Sequence, residues 1–161
     1  MIPSGLLVAL ALTGGEVLAP TTLLGLSFRA PASWEKSSPD EHSVEWTAAH
    51  DMAKLAVSAF PLEKLQTSAG CMKKLLDAVG KGGFETMTLG TQPAAKKITS
   101  DFVGEGERAK VEANRVTTTT IIGCNGKMKW VMTWSARTSE AARFGPMLRR
   151  IIESISYGKT P

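Results

Sequence analysis

The sequence predicts an α+β domain, an α/β sandwich built on an antiparallel sheet. Three observations carry that reading. Residues 72–79 and 144–155 repeat apolar side chains at helical spacing, whereas much of the remaining chain alternates with period two. An Asn125-Gly126 dipeptide stands between two β-rich runs, which is a strong hairpin signal. Strands come first and an amphipathic helix comes last, so the helices lie on faces of the sheet instead of linking parallel strands.

Each element follows in chain order. Residues 23–30 are apolar and extended, ending at Pro31, and Pro39-Asp40-Glu41 reads as a polar turn. Residues 43–48 form a strand with Val44 and Trp46 on one face, and Ala49-His50-Asp51-Met52 connects it to the next. Residues 54–60 alternate, with Leu55, Val57 and Ala59 on one side, until Pro61 stops the ladder. Thr67 or Ser68 caps a helix whose stripe is Met72, Leu75, Leu76 and Val79, and Gly80 ends it. Strands are expected over 84–89 and 96–103, followed by a turn at 104–107.

The hairpin over 115–136 is expected to close on a two-residue Asn125-Gly126 loop that pairs Cys124 with Lys127. One of its faces carries Thr119, Ile121, Met128, Trp130, Met132 and Trp134. The other carries Thr118, Thr120, Ile122, Lys127, Lys129 and Val131. The Trp/Met face needs a cover, because bare it would be a large apolar patch. A final helix supplies one, capped by Ser139 and bearing Phe144, Leu148, Ile151, Ile152 and Ile155. Pro146 either opens its main part or kinks it. Arg149 and Arg150 lie toward the end where the helix dipole favours cations.

Composition bounds the function. The chain has 161 residues, 43% hydrophobic and 21% charged, which excludes a disordered chain and a multi-span membrane protein. Two His and two Cys cannot make a three-histidine or a four-cysteine metal site. The net charge of +4 comes from scattered basic pairs with no basic stripe, so nucleic acid is not an expected partner. Residues 6–12 are an apolar run of signal-peptide size, too short for a bilayer span of about 20 residues. Val17-Leu18-Ala19 has cleavage-site spacing, although Pro20 follows and no basic residue precedes Arg29. The expected organisation is a leader over 1–20, one domain over 21–157 and a frayed tail at 158–161. The expected location is the periplasm or cell envelope, with no integral membrane span in the mature form.

The opening Gly25-Leu26-Ser27-Phe28-Arg29-Ala30-Pro31-Ala32-Ser33-Trp34 resembles the first strand, proline and tryptophan of the PsbP-like and DcrB-like superfamily. Trp134-Ser135, Phe144 and the closing Ile151-Ile152-Glu153-Ser154-Ile155-Ser156-Tyr157 resemble its last strand and last helix. The resemblance implies an α/β/α sandwich. It also implies action by binding, since most members bind and do not catalyse; the nearest type is an exported bacterial protein. No ligand-binding residue of the superfamily transfers to this chain, and no cofactor is expected.

The chemistry-bearing residues are few. His42, His50 and Asp51 are weak candidates for a metal site, or for a metal-dependent hydrolase. Their spacing is not the i, i+4 of a helical metal pair. Ser37, Ser38 or Ser43 could complete a Ser-His-Asp set, yet no nucleophile elbow occurs. Gly80-Lys81-Gly82-Gly83 follows a helix where a phosphate loop would open one. Glu105, Glu107 and Glu112 lack an EF-hand pattern. The reading is therefore a non-enzymatic binding or accessory domain with an unnamed protein partner. The alternatives are the hydrolase and a cytoplasmic adaptor or chaperone-like protein.

Export brings an oxidising environment, and the two cysteines then have only each other. Cys71 lies in the first turns of its helix and Cys124 at the hairpin end, on the face opposite the Trp/Met stripe. A Cys71–Cys124 disulfide puts the first and last helices on opposite faces, a three-layer α/β/α sandwich. In a cytoplasmic protein the same pair would be two small buried thiols.

Overall fold

The computed structural model describes residues 16–80, 82–103, 106 and 111–157. Residues 1–15, which hold the apolar run of the expected leader, and the expected frayed tail at 158–161 lie outside the described residues. Among the described residues, ten strands form two antiparallel sheets. The large one has the order β3-β4-β5-β9-β8-β7-β6. Its strands are β3 (Glu35–Asp40), β4 (Ser43–Thr47), β5 (Ala53–Pro61), β6 (Glu85–Leu89), β7 (Gln92–Phe102), β8 (Arg115–Cys124) and β9 (Met128–Arg137). The small sheet joins β1 (Leu18–Leu23), β2 (Leu26–Pro31) and β10 (Ser156–Tyr157), with β2 in the middle. The helices are α1 (Ser68–Val79) and α2 (Ala141–Glu153).

The two helices cover opposite faces of the large sheet, as expected. Beneath α1 lies a small core of Cys71, Met72, Ala95, Ile122 and Cys124. The other face carries the larger core, and its cover is shared by α2 and the small sheet. Trp34 packs against Trp134, tilted by 34° with ring centroids 5.5 Å apart, and meets Phe144 of α2 edge-on at 5.8 Å. Phe28 of β2 meets Trp46 of β4 edge-on at 5.6 Å, tying the small sheet down. Trp130 and Trp134 share this face and are buried.

The β8–β9 hairpin differs from expectation in register but not in facing. Cys124 pairs with Lys129, not Lys127, and Ile121 with Met132. Asn125 closes the turn: its N–H donates to the Met128 carbonyl, and its Oδ1 accepts from the N–H groups of Lys127 and Met128. Gly126 takes φ +84°, which glycine adopts without a Cβ penalty. The shift is two residues, so every side chain keeps the face that period-two alternation assigned to it. The turn is also clasped from outside. Gln66 N–H donates to the Gly126 carbonyl, and Leu62 N–H to that of Lys127. A Cβ on Gly126 would collide with the Gln66 carbonyl oxygen.

Beside this clasp, a disulfide joins Cys71 of α1 to Cys124 of β8, with Cα atoms 5.8 Å apart. That separation is ordinary for a bridge. Its loop spans 53 residues, which in the chain-entropy model stabilises by about 4 kcal/mol.

Four expectations need correction. Residues 23–30 are not one strand: the chain turns at Leu24-Gly25, and β1 pairs with β2 along its whole length. Pro39 and Asp40 belong to β3, an edge strand exposed throughout, and the turn lies one step later. Val79 is 46% exposed, so the α1 stripe ends at Leu76. Ser139 does not cap α2, because a 3-10 turn over Thr138–Glu140 leads into the helix. Thr67 does cap α1, accepting a hydrogen bond from Gly70 N–H.

The expected leader boundary at residue 20 falls inside β1. Leu18 is buried, and Glu16 Oε2 accepts a hydrogen bond from Ser33. A chain beginning at Thr21 is therefore expected to unfold more easily than one beginning at Glu16, by at least about 2 kcal/mol in urea titrations, through lost burial alone. Ile151 of α2 is fully buried, whereas Ile152 is only partly so. Ile151→Asp should cost more than about 3 kcal/mol, because it buries a carboxylate without a partner. Ile152→Asp should cost clearly less, with both read from urea titrations followed by Trp fluorescence.

Candidate binding cleft

The face of the large sheet that carries the main core is not covered to its end. The small sheet lies over β4, and α2 lies over β9. The outer strands β7 and β6 continue past α2 and leave an open cleft of about 390 Å³. Strand alternation puts Met87 and Leu89 of β6, Lys96 and Ile98 of β7 and Thr119 of β8 on its floor. Gly145, Leu148, Arg149, Ile152 and Glu153 of α2 form its wall.

The chemistry of the cleft is an apolar floor with a charged lip. Ile98 is 59% exposed, although its neighbours on the same face of β8 and β9 are sealed. Lys96 and Arg149 bring two cations, and Glu153 brings one anion. Gly145 sits inside α2, where glycine costs about 1 kcal/mol relative to alanine. A Cβ at this position would meet nothing within 4 Å. Its missing side chain therefore widens the cleft and is not demanded by packing. Pro146 follows directly, inside the helix, with no N–H for the carbonyl one turn back.

The candidates read from the sequence stand elsewhere, and the structure does not bring them together. His42 and His50 lie at opposite ends of β4. The His42 ring stacks on Phe60 at 5.1 Å, with Nδ1 3.1 Å from the Ala59 carbonyl and Nε2 3.3 Å from Glu41. His50 and Asp51 are exposed in a tight turn with positive φ, 58° and 52°. Ser43 Oγ is bonded to Ser58 Oγ at 2.9 Å, across the β4–β5 ladder. Ser37 and Ser38 are exposed on β3. Glu112 accepts two hydrogen bonds from Arg115, while Glu105, Glu107 and Lys81 lie outside the described residues. Among the described residues, no three His, Cys, Asp or Glu side chains converge on a metal position. No helix among them is long and apolar enough to cross a membrane.

The architecture, an antiparallel sheet between an early helix and a composite layer closed by the last helix, is a PsbP-like α/β/α sandwich. It recurs among solved structures. A crystal structure of a protein from Bacteroides thetaiotaomicron superposes with a TM-score of 0.64 at 14% identity, over 91% of this chain and 49% of that one. The solution structure of cyanobacterial PsbP (CyanoP) from Synechocystis superposes with a TM-score of 0.55 at 15% identity, over 89% of this chain and 94% of that one. This chain thus spans about half the length of the Bacteroides protein. At such identities the likeness is one of fold. No family model and no curated protein matches the sequence.

The cleft was not among the sequence candidates. Its one linear signal is Gly145, a glycine in the middle of an otherwise well-formed helical stripe. For the histidines, His50→Ala is expected to leave the melting temperature and the bound-metal content of purified protein unchanged. His42→Ala should lower stability by about 1 kcal/mol, through loss of the ring contact and a backbone hydrogen bond. Stoichiometric zinc lost in His50→Ala would restore the hydrolase reading.

Proposed function

We propose that the chain is a non-enzymatic binding or accessory domain that works outside the cytoplasm, in the periplasm or cell envelope, through contacts with a protein partner. The observation that carries this reading is the buried Cys71–Cys124 disulfide, since such bridges persist in oxidising compartments and are rare in the cytosol. The PsbP-like fold supports it, through the binding roles that the superfamily resemblance implies. The apolar run at residues 6–12 fits an export signal lying ahead of β1. The dispersal of His42, His50 and Asp51 gives the hydrolase alternative no assembled site among the described residues.

The test has two parts. Native protein from fractionated cells is alkylated without reductant, and its thiols are counted by mass spectrometry. No free thiol, with the protein in the envelope fraction, is the expected result. Two free thiols in the soluble cytoplasmic fraction would favour the adaptor alternative and overturn export. Crosslinking in intact cells then recovers one protein partner in amounts comparable with the bait. Its absence in repeated captures would sink the partner-binding role.

A further inference from the structure

We propose that the cleft between α2 and the β6–β7 end of the sheet is a binding site for a small amphipathic monoanion of the medium-chain carboxylate class. Its volume of about 390 Å³ lies at the small end of the range for organic ligands. The floor presents Met87, Leu89 and Ile98, and the helix adds Leu148 and Ile152; all but Ile98 are partly buried against the main core. Apolar side chains left open beside a sealed core are an energetic cost in water that an apolar ligand body removes. Gly145 keeps the wall of the cleft low where any other residue would project into it.

The lip selects the head group. Among the residues that line the cleft, Lys96 and Arg149 outnumber Glu153 by one charge, while Glu85 stands opposite Lys96 in the β6–β7 ladder, outside the lining. Half-buried Lys96 can lay its methylenes against the floor and hold its ammonium at the rim. An amphiphile with its apolar body on Ile98 and Ile152 then places a carboxylate between the two cations. A zwitterion or a neutral alcohol of equal length gains the burial but not the charge pairing. The site does not depend on the proposed protein partner, and the two readings can fail separately.

Titration of the full chain tests this, with 1-anilinonaphthalene-8-sulfonate as fluorescent probe and dodecanoate and dodecanol as competitors. The expected result is saturable binding at one site per chain, reversed by dodecanoate. Gly145→Leu fills the cleft without a backbone clash and should weaken both competitors about tenfold or more, equivalent to about 1.4 kcal/mol. The double variant Lys96→Gln/Arg149→Gln should weaken dodecanoate by about the same factor and leave dodecanol within about twofold. Near-UV circular dichroism checks each variant, because the probe also binds loosely packed states. Should Gly145→Leu fail that check, Ile98→Asp at an exposed position replaces it, with the same expected loss. Unsaturable probe binding, wild-type affinity in a folded cleft variant, or equal losses for acid and alcohol in the double variant would each overturn the proposal.

Discussion

Two indoles and two thioethers on one face of β9 have to be kept from water. Met128, Trp130, Met132 and Trp134 are all nearly inaccessible, and β9 runs through the middle of the large sheet. One helix cannot seal a face of this width. The chain solves the problem with a composite layer in which α2 and the small sheet share the face, and Trp34 fills the seam between them. Gly123 serves the same burial: it lies opposite Trp130 in the ladder, and a Cβ there would collide with the indole. Packing a helix beside a second small sheet also leaves the β6–β7 end of this face only partly covered, as the 59% exposure of Ile98 shows, and so produces the cleft.

Much of the fold was legible because one face of most strands is buried and the other is not. Leu55, Val57 and Ala59 gave β5 by alternation, and the two faces of the hairpin were assigned correctly. The hairpin register was misread because Asn125 closes the turn through its side chain, with Gly126 and Lys127 as the central residues. Because that error was even in residues, it left the facing intact. Strands without a buried face left no such pattern. Every residue of β3 is exposed, so the strand gave no alternation and its end at Pro39-Asp40 read as part of a turn. β1 was hidden for a different reason, as Leu18–Pro20 also has the composition of a leader end.

The cleft could not have been read the same way. Its floor and wall come from β6, β7, β8 and α2, which become neighbours only through sheet order and helix placement. No spacing rule connects Met87, Ile98 and Ile152. The disulfide was legible for the opposite reason: two cysteines allow one pairing, and the facing of α1 and of β8 made it geometrically reasonable. The histidines stand apart in the structure: the His42 ring lies on Phe60, and His50 sits in an exposed turn.

The position of β5 beside β9 has a consequence for how the chain reaches this state. Everything from α1 to β8 lies between them in sequence, so their ladder closes a long loop before it gains any contact. The β8–β9 hairpin and α1 are local and can form without that closure. The covalent link between α1 and the end of β8, with the clasp at Gln66 and Gly126, lies at the hairpin mouth where the β5–β9 ladder starts at Pro61 and Met128. Until that pairing is complete, the indole face is open to other chains. The bridge thus holds together the one place where a local hairpin meets the start of a long-range ladder.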